Sequence, residues 1–107
     1  MISSTEFAVA MPTLDEQIAD IMDSFDFGLM RRVMEFMDWK WAGVDEVTGA
    51  GLFLPTEDDL RIVASRMLRE VAGREGDCTQ STCGFVVKKQ HGLINLYFVA
   101  EQWENLP

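Results

Sequence analysis

Basic residues are missing from the first thirty positions, which carry six acids: Glu6, Asp15, Glu16, Asp20, Asp23 and Asp26. Across 107 residues, 18 acids face 9 bases, a net charge of −9. That balance argues against direct binding to nucleic-acid backbones, where lysine and arginine must displace counterions. It suits instead a body that attracts basic surfaces. Histidine is almost absent, with His91 alone, and cysteine is limited to Cys78 and Cys83. Two thiols and one distant imidazole fall short of a four-ligand zinc site, so no metal is expected. No apolar run approaches the ~20 residues of a membrane helix. The opening MISSTEFAVAMPT has no basic stretch ahead of an apolar one, so no secretory signal is expected. Without that signal the two cysteines read as reduced thiols in a loop of a cytoplasmic protein. Phosphate-loop chemistry is missing too. The glycine-rich connector GVDEVTGAGLFLP, residues 43–55, has neither the Lys-Ser/Thr pair nor the GxGxxG spacing and reads as a flexible turn.

What is present is ordinary globular material for one domain, residues 1–107, with 1–11 as a short arm or irregular strand. Hydrophobic residues at 48% rule out a disordered tail. Thr13 and Glu16 have the spacing of a capping box, and Leu14, Ile18, Ile21, Met22 and Phe25 follow at helical intervals. A helix over 14–25 is therefore expected. Asp26 caps a second, over 27–38, whose apolar arc (Phe27, Leu29, Met30, Val33, Met34, Phe36, Met37) covers half the circumference and places it centrally. Trp39 and Trp41 in DWKW form either a short strand or an extended exit from that helix. Thr56 and Asp59 cap a third helix over 57–72, with the cleanest repeat in the chain: Leu60, Val63, Ala64, Met67, Leu68, Val71, then a stop at Gly73. A polar loop, GREGDCTQSTCG, leads to a β-hairpin turning at KKQHG. Phe85, Val87, Leu96 and Phe98 share its inner face. The fold expected is α+β: two or three helices on a small antiparallel sheet ending in a C-terminal hairpin.

Chemistry is sparse. A nucleophilic cysteine would need His91 beside it with an orienting group, and His91 belongs to the far turn of the hairpin. Glu57, Asp58 and Asp59 are plentiful carboxylates, but they open a helix, where acids are favoured anyway. DEQIADIMDSFDFG lacks the alternating ligands and twelfth-position Glu of a calcium loop. Of the seven methionines most fall on helix faces that read as core. Trp39, Trp41 and Trp103 invite an interface reading, yet in so small a chain at least two should cover the edge of the core. No catalytic residue and no cofactor are expected.

Two surface features remain. Glu16, Asp20 and Asp23 cluster on the first helix away from its apolar stripe, with no basic residue four positions on to relieve them. On the third helix Ile62 points away from the core stripe, flanked by Arg66 and Arg69, which suits an interface anchor. These six residues are the expected partner-binding set.

The succession DWKW, PTEDDLRIVASRMLREV and STCGFVVKKQHGLINLYFVAEQWE, over residues 26–104, resembles small proteins of unknown function encoded by bacteriophages and prophages. Where that pattern has Gly-Gly this chain has Cys83-Gly84. The resemblance implies a non-enzymatic accessory protein in the cytoplasm of an infected bacterium, an anti-CRISPR-like inhibitor of a defence or nucleic-acid-handling machine. The sequence thus predicts a small acidic protein that binds and modulates or inhibits a protein partner, host or phage, with the acidic helix steering it to a basic surface. The alternative is a self-associating structural or assembly protein, the acidic first helix pairing with the arginine-bearing third helix of another copy.

Overall fold

A computed structural model describes residues 12–42, 52–82 and 84–99. The arm at 1–11, most of the glycine-rich connector, Cys83 and Trp103 lie outside those residues. Helix α1 spans Leu14–Ser24, α2 Phe27–Phe36 and α3 Glu57–Ala72. Strands β1 (Trp41–Ala42) and β2 (Leu52–Phe53) pair antiparallel, and β3 (Cys78–Thr82), β4 (Phe85–Gln90) and β5 (Leu93–Phe98) form an antiparallel sheet in that order. The architecture is α+β, three helices on a three-stranded sheet that closes with the β4–β5 hairpin.

Local chemistry sets the helix ends. Thr13 caps α1 by accepting from the Glu16 amide at 3.1 Å. The reciprocal half of the expected box does not form there, because the Thr13 hydroxyl takes the Glu16 carboxylate instead, at 3.1 Å. At α3 the box is complete: Asp59 N–H donates to Thr56 Oγ1 and Thr56 N–H to Asp59 Oδ2. Asp26 caps α2 through the Leu29 amide at 2.9 Å. That helix ends at Phe36, short of the expected residue 38. Asp38 turns left-handed (φ 52°), its N–H donating to Glu35 O and the Trp39 N–H to Met34 O at 2.8 Å. This is the double-bonded left-handed stop known as a Schellman motif.

The most buried helix is α3, not α2. Leu60, Ala64, Met67, Leu68 and Val71 lie at or near zero exposure over the inner sheet face of Phe85, Val87, Ile94 and Leu96. Helix α3 packs against both other helices and all three strands of the sheet. Helix α2 adds Phe27, Met30 and Met34 to the core from the side, and the rest of its apolar arc has nothing left to cover. Trp39 and Trp41 are inside the core rather than at its edge. Trp39 packs on Phe98 (centroids 5.8 Å apart), and Trp41 meets Phe53 edge-on. Phe25, Phe27 and Phe85 form an aromatic cluster where α1 passes into α2.

The expected polar loop before the hairpin is partly a strand. Residues Cys78–Thr82 pair with β4 in register Cys78↔Lys89 to Thr82↔Phe85. CTQST hides this because β3 is an edge strand with little to bury, so no apolar alternation marks it. The hairpin turn itself is the two residues His91-Gly92, both with positive φ (54° and 79°), the signature of a type I′ turn. Helix α1 is latched to this turn by the buried Gln17 amide, whose Nε2 donates to Gly92 O (3.0 Å) while its Oε1 accepts from Ile94 N–H (2.9 Å). Among the described residues Lys89 is the other buried polar residue, and its ammonium donates to the Arg74 carbonyl.

Candidate protein-interaction surfaces

Helices α1 and α3 lie side by side and antiparallel. Arg61 Nη1 reaches the Met22 carbonyl at one end (3.5 Å), and Leu14 and Ile18 line the other end with Arg69, Ala72 and Gly73. An open groove of about 570 Å³ lies on the outer face of α3, meeting α1 at Met22 and bordered by Arg61, Ile62, Ser65, Arg66, Arg69 and Glu70. Ile62, Arg66 and Arg69 are therefore brought together, as their i, i+4, i+7 spacing requires, and all three are exposed, Ile62 by 56%. Arg61 is less free: its guanidinium sits 4.7 Å from the Phe27 ring centroid.

Glu16, Asp20 and Asp23 are exposed on the outer side of α1 and do not line the groove. Helical geometry explains the separation. The face toward α3 carries Asp15, Ile18 and Met22, and the three acids fall roughly 80–160° farther round. The ion pairs among the described residues are Arg31–Glu35 (3.3 Å) and Lys40–Asp38 (3.4 Å), so neither the acidic row nor the Arg66–Arg69 row is neutralised. The two rows stand next to each other with opposite sign.

A third surface escaped the sequence-based set. On α2, Leu29 (51% exposed) and Phe36 (91%) lie seven residues apart with half-buried Val33 between them, and Met37 extends the stripe past the helix end. Arg32 is exposed on the same side. The signal was in the sequence: an apolar arc covering half of a ten-residue helix is wider than one core face needs.

The remaining chemistry groups do not assemble. Because β3 runs antiparallel to β4, Cys78 and His91 sit at one end of the sheet, nearer than a loop would place them. Asp77 Oδ1 accepts from the His91 backbone N–H at 2.9 Å, so that carboxylate orients the turn and not the imidazole. The Cys78 thiol turns inward toward Val71 O (3.8 Å), away from exposed His91. Among the described residues no three His, Cys, Asp or Glu side chains converge as metal ligands. No described helix is long and apolar enough to cross a membrane.

No protein-family model, curated protein or solved structure matches this chain.

Proposed function

We propose that this protein is a non-catalytic binding module that docks on a protein partner, and modulates or inhibits it, through the outer face of α2. The observation that carries this reading is the stripe Leu29–Val33–Phe36, extended by Met37, on a helix whose opposite face is already core. Helices apolar on both sides are normally buried on both. Contiguous apolar surface kept in water marks interaction sites. The net charge of −9 supports a partner with a basic surround, since the long-range field of the body raises the rate of encounter with such a surface. We further propose that this partner is a bacterial host protein, as a phage-encoded accessory protein would require, with interference in its work as the outcome.

The test compares the chain with a Leu29→Asp, Phe36→Asp variant against the protein that the unmodified chain captures from its native cell. Both positions face water, so helical circular dichroism and the melting temperature should hold. Affinity should fall at least about tenfold, the loss expected when two contact anchors go. An unchanged Kd with an intact fold would remove α2 from the interface.

A further inference from the structure

Beyond partner docking on α2, we propose that this protein forms a two-fold dimer through its α1–α3 face, the acidic row of each copy seated on the arginine row of the other. The argument starts from level. In the antiparallel α1–α3 pair, Met22 stands beside Arg61 and Ile62, and Leu14 beside Ala72 and Gly73. Those ends are eight residues apart on α1 and about eleven on α3, so counting from one end or the other sets Asp20 level with residues 63–67, Glu16 with 67–71 and Asp23 with 60–64, ranges that contain Arg66, Arg69 and Ile62. Within one copy these partners cannot meet, because the acids leave α1 on its outer side while α3 lies beside it.

A second copy turned by 180° about an axis parallel to the two helices, running in front of the groove, keeps every residue at its own level. It also exchanges the sides. Its α1 then lies over α3 of the first, bringing Glu16 to Arg69 and Asp20 to Arg66, and the symmetry repeats both pairs. Sideways position agrees as well. By the 100° helical step Asp20 tilts off α1 away from α3 and Arg66 tilts off α3 away from α1, so both reach the same rim of the dimer, beside Glu70. Met22 and Ile62, along the groove, fall at the centre, where apolar atoms are favoured. The rows Glu16–Asp20–Asp23 and Ile62–Arg66–Arg69 share one i, i+4, i+7 spacing; run antiparallel, their end residues match and the middle pair, Asp20 and Arg66, is offset by one residue, about 1.5 Å.

Size sets the strength. About 16 Å of α1 runs along α3, so the face offers on the order of 600 Å² per copy, near the low end for specific interfaces. A face of that size, opposed by the repulsion of two bodies of −9, calls for a search at micromolar concentrations and above. Two opposing salt effects follow. Salt screens the general repulsion between two bodies of −9, and it also screens the four close ion pairs. A dimer held by those pairs loosens as salt rises. One held by apolar contact alone tightens.

Sedimentation of the full chain from 5 to 500 µM, at 50 and 500 mM salt, tests this (experimental settings of about these values bracket the Debye length between roughly 14 and 4 Å). The expected result is a monomer–dimer equilibrium weakened several-fold at high salt. Arg66→Glu, Arg69→Glu and, separately, Glu16→Arg, Asp20→Arg should each be monomeric, with unchanged circular dichroism because all four positions are exposed. Mixed in equal amounts, the two variants should form a heterodimer, because each then presents the charge the other lost. A monomer throughout for the unmodified chain would overturn the proposal. So would dimerisation of either variant alone, growth beyond dimer, or failure of the mixture to associate while both variants stay folded. Dimerisation abolished by Phe36→Asp instead would place self-association on α2 and overturn it equally.

Discussion

Gly84 offers a test of the core that separates two physical effects in one residue. It links β3 to β4 with φ at 86°, and a methyl group placed there would lie 2.6 Å and 2.9 Å from Trp39 Cη2 and Cζ2, and 3.3 Å from Phe98 Cε2. Alanine would carry a backbone cost of about 1 kcal/mol for the left-handed region. It would add an overpacking cost of about 1–3 kcal/mol, because the struck atoms belong to a buried indole ring, not to a flexible chain end. Trp39 cannot retreat easily, being 3% exposed and packed on Phe98. Gly76 is the internal control. Its φ is 74°, and a methyl group there meets nothing within 4 Å, so Gly76→Ala carries the backbone cost alone. Urea or guanidinium unfolding of both variants, followed by tryptophan fluorescence and circular dichroism, should give losses of roughly 3 kcal/mol for Gly84→Ala and roughly 1 for Gly76→Ala. In a domain of this size the first corresponds to a fall of roughly 12–24 °C in melting temperature. Equal losses for the two variants would refute the packing of Trp39 on Gly84. A loss below about 0.5 kcal/mol at both positions would refute the positive-φ assignments as well.

Met67→Asp should destabilise by on the order of 3 kcal/mol in thermal or chemical melts, because Met67 is 3% exposed beneath α3 and its replacement buries an unpaired carboxylate. Gln17→Leu keeps the bulk but strands the Ile94 N–H and Gly92 carbonyl, costing about 1–3 kcal/mol and accelerating hydrogen exchange at Ile94. Asp38→Gly should stabilise by about 0.5–1 kcal/mol in the same denaturation assay, since the left-handed stop of α2 keeps its geometry and loses its strain. The exposed Lys40 pair forfeited there is worth little.

Short-range chemistry made much of this fold legible. Thr13, Asp26 and Thr56 mark helix starts because their side chains satisfy amides two or three residues on, a transaction complete within one turn. Leu60 to Val71 repeat at helical spacing because one face of α3 meets a sheet. The hairpin was legible from its two β-rich runs, but its turn narrowed from KKQHG to His91-Gly92, because Lys88–Gln90 extend β4 and two adjacent residues with positive φ match the twist of paired strands. Strand β3 was illegible for the converse reason: an edge strand with five mostly polar residues buries too little to show a period. The candidate surfaces divide the same way. Exposure of Ile62, Arg66 and Arg69 followed from their angle to the α3 stripe. Exposure of Leu29, Phe36 and Met37 did not, because periodicity shows that a helix is apolar on two sides but not which side finds a neighbour.

The sequence by itself determined where the three helices begin, that a β-hairpin follows α3, that α1 is acidic on its outer side, and that the chain carries nine more acids than bases. Those properties reside in contacts a few residues long and in composition. Tertiary structure alone decided that α3 rather than α2 occupies the centre, since centrality depends on which faces compete for the one available sheet face. It alone decided that α1 runs antiparallel beside α3, with Met22 at the Arg61 end and Leu14 at the Ala72–Gly73 end. A level between two helices is a relation across some fifty residues of chain, and no local period or cap encodes it.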